Sequence, residues 1–276
     1  MKSLYTASLQ EGEFLNGLLD LTFDILGINQ NRPFEPNRDL ITTYPLEEED
    51  WSSGKLIKQL LVHLYYLSLK HTPFVAKSWW LGKSNRQTVD RAETLTEKYI
   101  SPLLISSELT SVITWSNSQP PSGDDTEVKV KVSKAVREAT IIYPVDDQTL
   151  EMLIRLPPAF PLGNIEIQGT KKVGFTDRQW KGIELETQAV VSLQGGSILD
   201  ALLLFKKNIE LHFKGVEECA ICYSIVGAER TLPGKSCATC RNKFHAGCLY
   251  KWFKTSGGAS CPLCRNNWQF YAGVAR

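Results

Sequence analysis

Eight potential metal ligands, seven cysteines and one histidine, lie between positions 219 and 264 of this 276-residue sequence. They form four pairs, and in each pair two residues separate the partners: Cys219 and Cys222, Cys237 and Cys240, His245 and Cys248, and Cys261 and Cys264. This spacing lets a tight turn aim both side chains at one ion, and eight ligands are enough for two tetrahedral zinc sites. Because two complete four-ligand sites leave no open coordination position, we expect two structural Zn²⁺ ions.

The placement of the cysteines favours metal ligation over disulfide formation. The first cysteine is Cys219, so the long preceding part of the chain has none. Residues 1–14 contain no apolar run of the kind that a secretory signal needs. We therefore expect a cytoplasmic, reducing environment, where a dense cysteine cluster indicates metal binding. A segment of this size also has too little core to fold without such cross-links.

The overall composition excludes two broad classes of function. Lys and Arg number 31 and Asp and Glu 30, so the net charge is +1, which argues against direct DNA binding by a strongly basic chain. Hydrophobic residues make up 42% and charged residues 22%, as in ordinary globular proteins. No stretch approaches the roughly 18 apolar residues that a membrane span requires, so we expect no membrane partner.

The first part of the chain has the apolar spacing of helices. Apolar residues recur at helical intervals over 15–26, 56–67 and 89–99, and the third of these helices is expected to end near Ser101 and Pro102. Residues 1–116 are therefore predicted to be a helical segment, either a helical bundle or the end of a helical-repeat array. Residues 117–125 have the composition of a linker.

Beyond the linker the apolar period changes to two. Val128, Val130 and Val132 alternate with polar residues, and further strands are predicted at 139–145, 150–156 and 165–167. Helical patterns follow at 176–193 and 197–213, with Thr176 as a candidate N-cap. An antiparallel meander followed by two helices predicts an α+β layer over residues 126–214.

The loop at 156–162, with the sequence LPPAFPL, resembles a loop of ubiquitin-conjugating enzymes and of their non-catalytic relatives, the RWD domains. A conjugating enzyme needs a cysteine nucleophile to carry ubiquitin as a thioester. None exists before Cys219, so the resemblance implies an RWD-like docking scaffold and not a transferase.

The order of the ligands resembles that of a RING finger, in which two zinc sites interleave as a cross-brace. The resemblance implies that the first zinc is held by Cys219, Cys222, His245 and Cys248, and the second by Cys237, Cys240, Cys261 and Cys264.

PHD fingers, which bind histone tails, share this ligand order. The residues between the ligands must therefore distinguish a RING finger from a PHD finger. PHD fingers usually have Trp two positions before the seventh ligand, where this sequence has Ala259. RING ligases usually have an aliphatic residue before the second ligand, here Ile221, and often Trp four residues after the sixth, here Trp252. They favour Pro after the seventh ligand, and active ones often have Arg after the eighth; Pro262 and Arg265 occupy these positions. The sequence thus favours a RING finger.

The RING resemblance implies a RING-type ubiquitin-protein ligase. Ile221, Trp252, Pro262 and Leu263 would form an apolar patch that binds a ubiquitin-conjugating enzyme charged with ubiquitin. Arg265 would act as a non-covalent linchpin, because its planar fork can bridge the conjugating enzyme and ubiquitin. The alternatives are a core position for Trp252, a solvated surface position for Arg265, and a zinc interaction module without ligase activity.

A closer resemblance covers residues 126–270. An RWD-like domain that leads directly into a RING, with FHAGCLYKWF at 244–253 and CPLCR at 261–265, is similar to the carboxyl end of a family of long helical-repeat ubiquitin ligases. These ligases act on stalled large ribosomal subunits and ubiquitinate the trapped nascent chain. The resemblance implies an α+β multidomain protein in which a HEAT-like segment precedes the RWD-like domain and a RING finger at 216–270. It also implies a cytosolic location near the large ribosomal subunit and its quality-control partners.

Overall fold

The computed structural model describes residues 14–28, 34–44, 54–119, 128–145, 148–227 and 229–269. The amino-terminal part is helical. Its α-helices are α1 (Phe14–Leu26), α2 (Asp39–Thr42), α3 (Gly54–His71), α4 (Pro73–Gly82), α5 (Arg86–Leu95) and α6 (Ser101–Ser118). The predicted helical segment is thus observed, and α6 extends into the predicted linker, most of which lies outside the described residues.

The prediction that the third helix ends near Ser101 and Pro102 is wrong. A π-helical turn (Thr96–Ile100) continues α5 directly into α6, which begins at that point. Pro102 lies in the first turn of α6, directly after the π-helical turn, so the missing N–H of proline falls where the hydrogen-bond pattern changes. The proline therefore does not end the helix here.

An aromatic cluster forms the core of the helical segment. Phe23 of α1 stacks on Trp79 of α4 with ring centroids 5.0 Å apart, and the edge of Tyr65 meets Phe23 at the same distance. The buried hydroxyl of Tyr65 is hydrogen bonded to Thr96 Oγ1 at 2.7 Å. Trp79 donates its indole N–H to Asp20 Oδ1 at 2.8 Å, so the cluster also satisfies its polar atoms.

The middle of the chain is an antiparallel meander covered by two helices. The strands β1 (Lys129–Ser133), β2 (Glu138–Val145), β3 (Gln148–Arg155) and β4 (Glu166–Lys171) pair in sequence order, and α7 (Asp177–Ser192) and α8 (Ile198–Phe213) follow. Ala139 pairs with Ile154 and Ile141 with Met152, and all four side chains are buried on one face of the sheet. The predicted α+β layer is therefore confirmed. The predicted turn at 146–147 lies outside the described residues.

Local capping explains where α7 and α8 begin. Thr176 and Ser197 are N-caps, and each forms a reciprocal capping box with the side chain three residues on, Gln179 and Asp200. Each box satisfies two backbone N–H groups that the first helical turn would otherwise leave without a partner. The N-cap predicted at Thr176 is confirmed.

The loop at 156–162 packs against the helical segment. Phe160 and Leu162 are buried, and Ser101 of α6 donates its hydroxyl to the Phe160 carbonyl oxygen at 2.7 Å. Just beyond the loop, Lys77 of α4 donates to Asn164 Oδ1 at 2.8 Å. The loop thus joins the α+β layer to the helices.

The carboxyl-terminal part contains short elements around the cysteines: β5 (Lys235–Ser236), β6 (Lys243–Phe244) and α9 (Ala246–Ser256). Gly257, with φ at 68°, ends α9 in the left-handed conformation. Phe244 and Leu249 are buried beside the cysteines, and Trp268 packs against them. Together these residues form a small core.

Helix α7 lies directly against the first cysteine pair. A Cβ atom added at Gly182 would lie 2.2 Å from the carbonyl oxygen of Cys222, a distance that no packing allows. Only glycine permits this close approach of helix and loop.

We expect Gly182→Ala to destabilise the protein by about 1–3 kcal/mol, because the added methyl forces α7 away from the Cys222 loop. Gly17→Ala is the matched control, since Gly17 is exposed within α1 and a Cβ there meets nothing within 4 Å. Alanine in place of a helical glycine should stabilise by roughly 0.5–1 kcal/mol. Thermal unfolding of both variants measures the difference, and equal melting temperatures would contradict this packing.

Candidate metal centre

The structure groups the eight ligand residues into two sets of four. In each set every ligand atom lies within 4.8 Å of the others. Set 1 consists of Cys219, Cys222, His245 and Cys248, and set 2 consists of Cys237, Cys240, Cys261 and Cys264. These are the two interleaved groups that the RING resemblance implies.

The elements around the cysteines position both sets. Cys219 and Cys222 follow α8, and His245 is the N-cap of α9, so Cys248 lies in the first turn of that helix. Cys237 and Cys240 lie between β5 and β6. Along the chain, the two-stranded ribbon and α9 therefore connect ligands of one set to ligands of the other.

All three Cys-x2-Cys pairs adopt the same turn. In each pair, the N–H of the residue after the second cysteine donates to the carbonyl oxygen of the first cysteine. The N···O distance is 2.8 Å for Tyr223, 2.9 Å for Arg241 and 3.1 Å for Arg265. Each of these three residues has a positive φ, of 60°, 60° and 64°. The turn points both sulfurs of a pair the same way, as a shared metal ion requires. The sequence analysis did not find these left-handed positions, because none of them is glycine.

The distances between ligand atoms fit tetrahedral zinc. Bonds of about 2.3 Å from zinc to sulfur place two sulfurs of a tetrahedron about 3.8 Å apart. In set 2 the Cys237 and Cys264 sulfurs are 3.7 Å apart, as are those of Cys240 and Cys261. All seven cysteines, each of which is described, are free thiols without a disulfide. Thiolate and imidazole donors in this geometry fit Zn²⁺.

His245 presents one ring nitrogen to set 1 and the other to the backbone. Its Nδ1 atom lies 3.4 Å from the Cys222 sulfur and 3.8 Å from the Cys248 sulfur. Its Nε2 atom lies 3.1 Å from the carbonyl oxygen of Ile225. With Nδ1 as ligand, Nε2 carries the proton and donates it to this carbonyl, which fixes both the tautomer and the ring plane.

Hydrogen bonding and burial shift the pKa values of the ligands. The backbone N–H of Cys240 holds the pKa of Cys237 at about 6, whereas burial raises the pKa of Cys261 to about 12. At His245, burial opposes the charged ring, but the Cys219 and Cys248 sulfurs outweigh it and raise the pKa to about 10.

The residues predicted to bind a conjugating enzyme lie around the same turns. Arg265 is exposed and its guanidinium carbon lies 5.3 Å from the centre of the Trp252 ring. Trp252 donates its indole N–H to the Ser260 carbonyl at 2.9 Å. Ile221 and Pro262 are half-buried, and Leu263 is 48% exposed. The stacking of Arg265 on Trp252 is a contact that sequence spacing alone did not indicate.

Family models match three consecutive parts of the chain. The model described as "LTN1 family HEAT repeat region" matches residues 1–113, "Ubiquitin conjugating domain-like" matches 128–212, and "Ring finger domain" matches 217–265. Together with the two ligand sets, these matches confirm the predicted fold class. None of the described helices is long and apolar enough to cross a membrane.

Relatives match nearly the whole chain. It is 43% identical over 260 residues to the "E3 ubiquitin-protein ligase listerin" of Schizosaccharomyces pombe, covering 94% of this chain and 16% of that protein. Identity to the proteins of the same name from Neurospora crassa and Saccharomyces cerevisiae is 38% and 35%, over 96% and 98% of this chain and 17% and 18% of those proteins. The chain therefore spans about one sixth of the length of these relatives.

We expect two zinc ions per chain, because two complete ligand sets are present. A strong chelator should unfold residues 217–269, whose buried apolar core is small, and leave the helical segment folded on its own aromatic core. Elemental analysis gives the metal content, and hydrogen exchange locates the unfolding. A content of one zinc per chain, or a loss of hydrogen-exchange protection throughout the chain, would contradict the assignment of two ligand sets.

We expect zinc affinity to fall as the pH is lowered from about 8 to about 5, because the raised pKa of His245 and the cysteine thiols make protons competitors for the ligands. Calorimetry in buffers of different ionisation enthalpy counts the protons released on binding. Binding without proton release would contradict zinc ligation by these thiols and by His245.

Proposed function

Because the chain belongs to the listerin family over the segment that it spans, we propose that it acts as a RING-type ubiquitin-protein ligase. It binds a charged ubiquitin-conjugating enzyme and promotes direct transfer of ubiquitin to substrate lysines. The family resemblance drawn from residues 244–253 and 261–265 is confirmed.

The observation that carries this proposal is the placement of Arg265. It directly follows the last ligand of set 2, in a turn closed by a backbone hydrogen bond, and its guanidinium makes a cation–π contact with Trp252. The guanidinium is therefore held at the surface, beside the exposed Leu263, with its donors available to a partner. A PHD-like module would need no such arginine, and Ala259 stands where PHD fingers usually have tryptophan.

The chain supplies no covalent catalyst in this proposal. All seven cysteines belong to the two ligand sets, and a fully coordinated thiolate is not a free nucleophile. The lysine amine of the substrate attacks the thioester carbonyl on the conjugating enzyme, an isopeptide bond forms, and the cysteine thiolate of that enzyme leaves. Zinc cross-links the fold and supplies no chemistry to the reaction.

The residues of the chain bind and orient in this reaction. Ile221, Trp252, Pro262 and Leu263 form the apolar surface on which the conjugating enzyme docks. Arg265 donates hydrogen bonds to both the conjugating enzyme and ubiquitin, which holds the thioester in a reactive conformation. Because these bonds form only in the reactive conformation of the charged conjugating enzyme, they raise the rate of ubiquitin transfer and not the affinity of docking.

The remaining parts act as a scaffold for the ligase. We divide the chain into a helical segment at 1–116, a linker at 117–125, an RWD-like domain at 126–214 and a RING finger at 216–270. As in the family, the partners in this proposal are the cytosolic large ribosomal subunit and its quality-control factors, and the substrates are stalled nascent chains. Co-sedimentation of the chain with purified stalled large ribosomal subunits tests this part independently of ligase activity.

Two substitutions separate docking from activation. Ile221→Ala should weaken docking by about 1 kcal/mol, because it removes part of a half-buried apolar contact. Arg265→Ala should leave docking nearly unchanged and slow the discharge of ubiquitin to free lysine. Titration of the conjugating enzyme measures docking, and single-turnover discharge measures the rate.

Arg265→Lys is the matched control for Arg265→Ala, because it keeps the charge and removes the planar fork. We expect Arg265→Lys also to be slow, and all three variants to keep two zinc ions. If Arg265→Ala abolished docking while each bound complex discharged at the normal rate, Arg265 would be a plain contact residue. A reducible ubiquitin adduct on this chain would contradict direct transfer.

A further inference from the structure

A buried asparagine joins the last helix of the α+β layer to the RING finger. Asn208 lies on α8 and is 1% exposed. Its Oδ1 atom accepts hydrogen bonds from Ser224 Oγ at 2.9 Å, from the Ile225 N–H at 3.0 Å and from the Val226 N–H at 2.7 Å. Its Nδ2 atom donates to the Val226 carbonyl at 3.0 Å and to the Leu204 carbonyl at 3.1 Å. Four of these five bonds reach the loop at 224–226.

The same loop holds a ligand of set 1. The carbonyl of Ile225 accepts from His245 Nε2, while the N–H of Ile225 donates to Asn208. A continuous path of hydrogen bonds therefore runs from α8, through the backbone of Ile225, to the imidazole of set 1. An outer partner of this kind sets the orientation and basicity of a metal-ligating histidine.

The loop also belongs to the core of the α+β layer. Ile225 and Val226 are buried with the residues of the main core and not with the small core around the cysteines. Beside it, α7 touches the Cys222 carbonyl at Gly182, and Gln179 donates to Glu218 Oε2 at 2.7 Å. Asn208 is the central polar contact of this junction, because removing it would take the acceptor away from the buried N–H groups of Ile225 and Val226.

We propose that Asn208 is a positioning residue that fixes the RING finger on the α+β layer, so that the two parts move as one body and His245 is held ready for its metal. Through this rigid junction, α8 determines where the docked conjugating enzyme stands relative to the rest of the chain. The consequence for ubiquitin transfer rests on the proposed function, whereas the mechanical linkage does not.

The test compares Asn208→Ala with Lys207→Ala in the full chain. Lys207 is the exposed neighbour on α8 and is the matched control. ¹⁵N relaxation gives the rotational correlation times of the amides in α7 and α8 and of those in 229–269. We expect one common value in the wild type and in Lys207→Ala, and a shorter value for 229–269 in Asn208→Ala. A common value in Asn208→Ala would overturn the proposal.

Metal competition provides a second readout. We expect one of the two zinc ions of Asn208→Ala to be released to a chelator about 10-fold more readily, because the His245 partner is no longer fixed, and the other to be unchanged. Equal release of both ions, or of neither, would contradict the path from α8 to His245.

Ser224→Ala keeps the test decisive if Asn208→Ala does not fold. It removes one of the four junction bonds from the RING side and leaves α8 untouched. We expect a smaller shift of the correlation time in the same direction, and no shift would overturn the proposal.

Ubiquitin transfer supplies the functional readout. The set of lysines ubiquitinated on the chain itself should be wider in Asn208→Ala than in Lys207→Ala and the wild type, as mapped by mass spectrometry. An unchanged set would contradict the positioning role. Failure of the wild type to discharge ubiquitin would refute the proposed function, and the relaxation measurement would still test the junction.

Discussion

The surface around Trp252 and Arg265 depends on metal ligation more than on hydrophobic burial. Among the described residues of this part, the small core buries Phe244 and Leu249 beside the cysteines, which is too little apolar area to offset the conformational entropy of more than forty residues. In the proposed zinc-loaded chain, thiolate and imidazole bonds to the metal would supply the missing free energy. They also make the fold rigid, because each set draws its ligands from two separate stretches of chain.

The helical segment and the α+β layer hold this surface in a fixed position. The helical segment packs on the loop at 156–162 through Ser101, and the α+β layer packs on the loop at 224–226 through Asn208. Each junction satisfies buried polar atoms, so separating the parts would cost the desolvation of unpaired groups. The α+β layer matches the model described as "Ubiquitin conjugating domain-like" and has no cysteine of its own, which is consistent with a scaffold that holds the RING in place.

Local sequence signals predicted much of the local structure. The tight turns of the Cys-x2-Cys pairs and the N-cap at Thr176 depend on residues within five positions of each other, so the sequence alone predicted them. The two ligand sets came from family resemblance, since spacing alone does not fix which pairs share an ion. The end of the third helix was misplaced because Pro102 is compatible with a helix start as well as a stop. The role of Asn208 could not be predicted, because its partners lie 16–18 residues away and meet it only in the folded chain.

The central claim is that metal-dependent rigidity creates the surface that activates a conjugating enzyme. The most direct test is the rate of ubiquitin discharge from a charged conjugating enzyme to free lysine, measured with the zinc-loaded chain, after chelation, and after zinc is restored. The account predicts acceleration with the zinc-loaded chain, loss of acceleration on chelation, and recovery with zinc. Equal acceleration by the metal-free chain would contradict it.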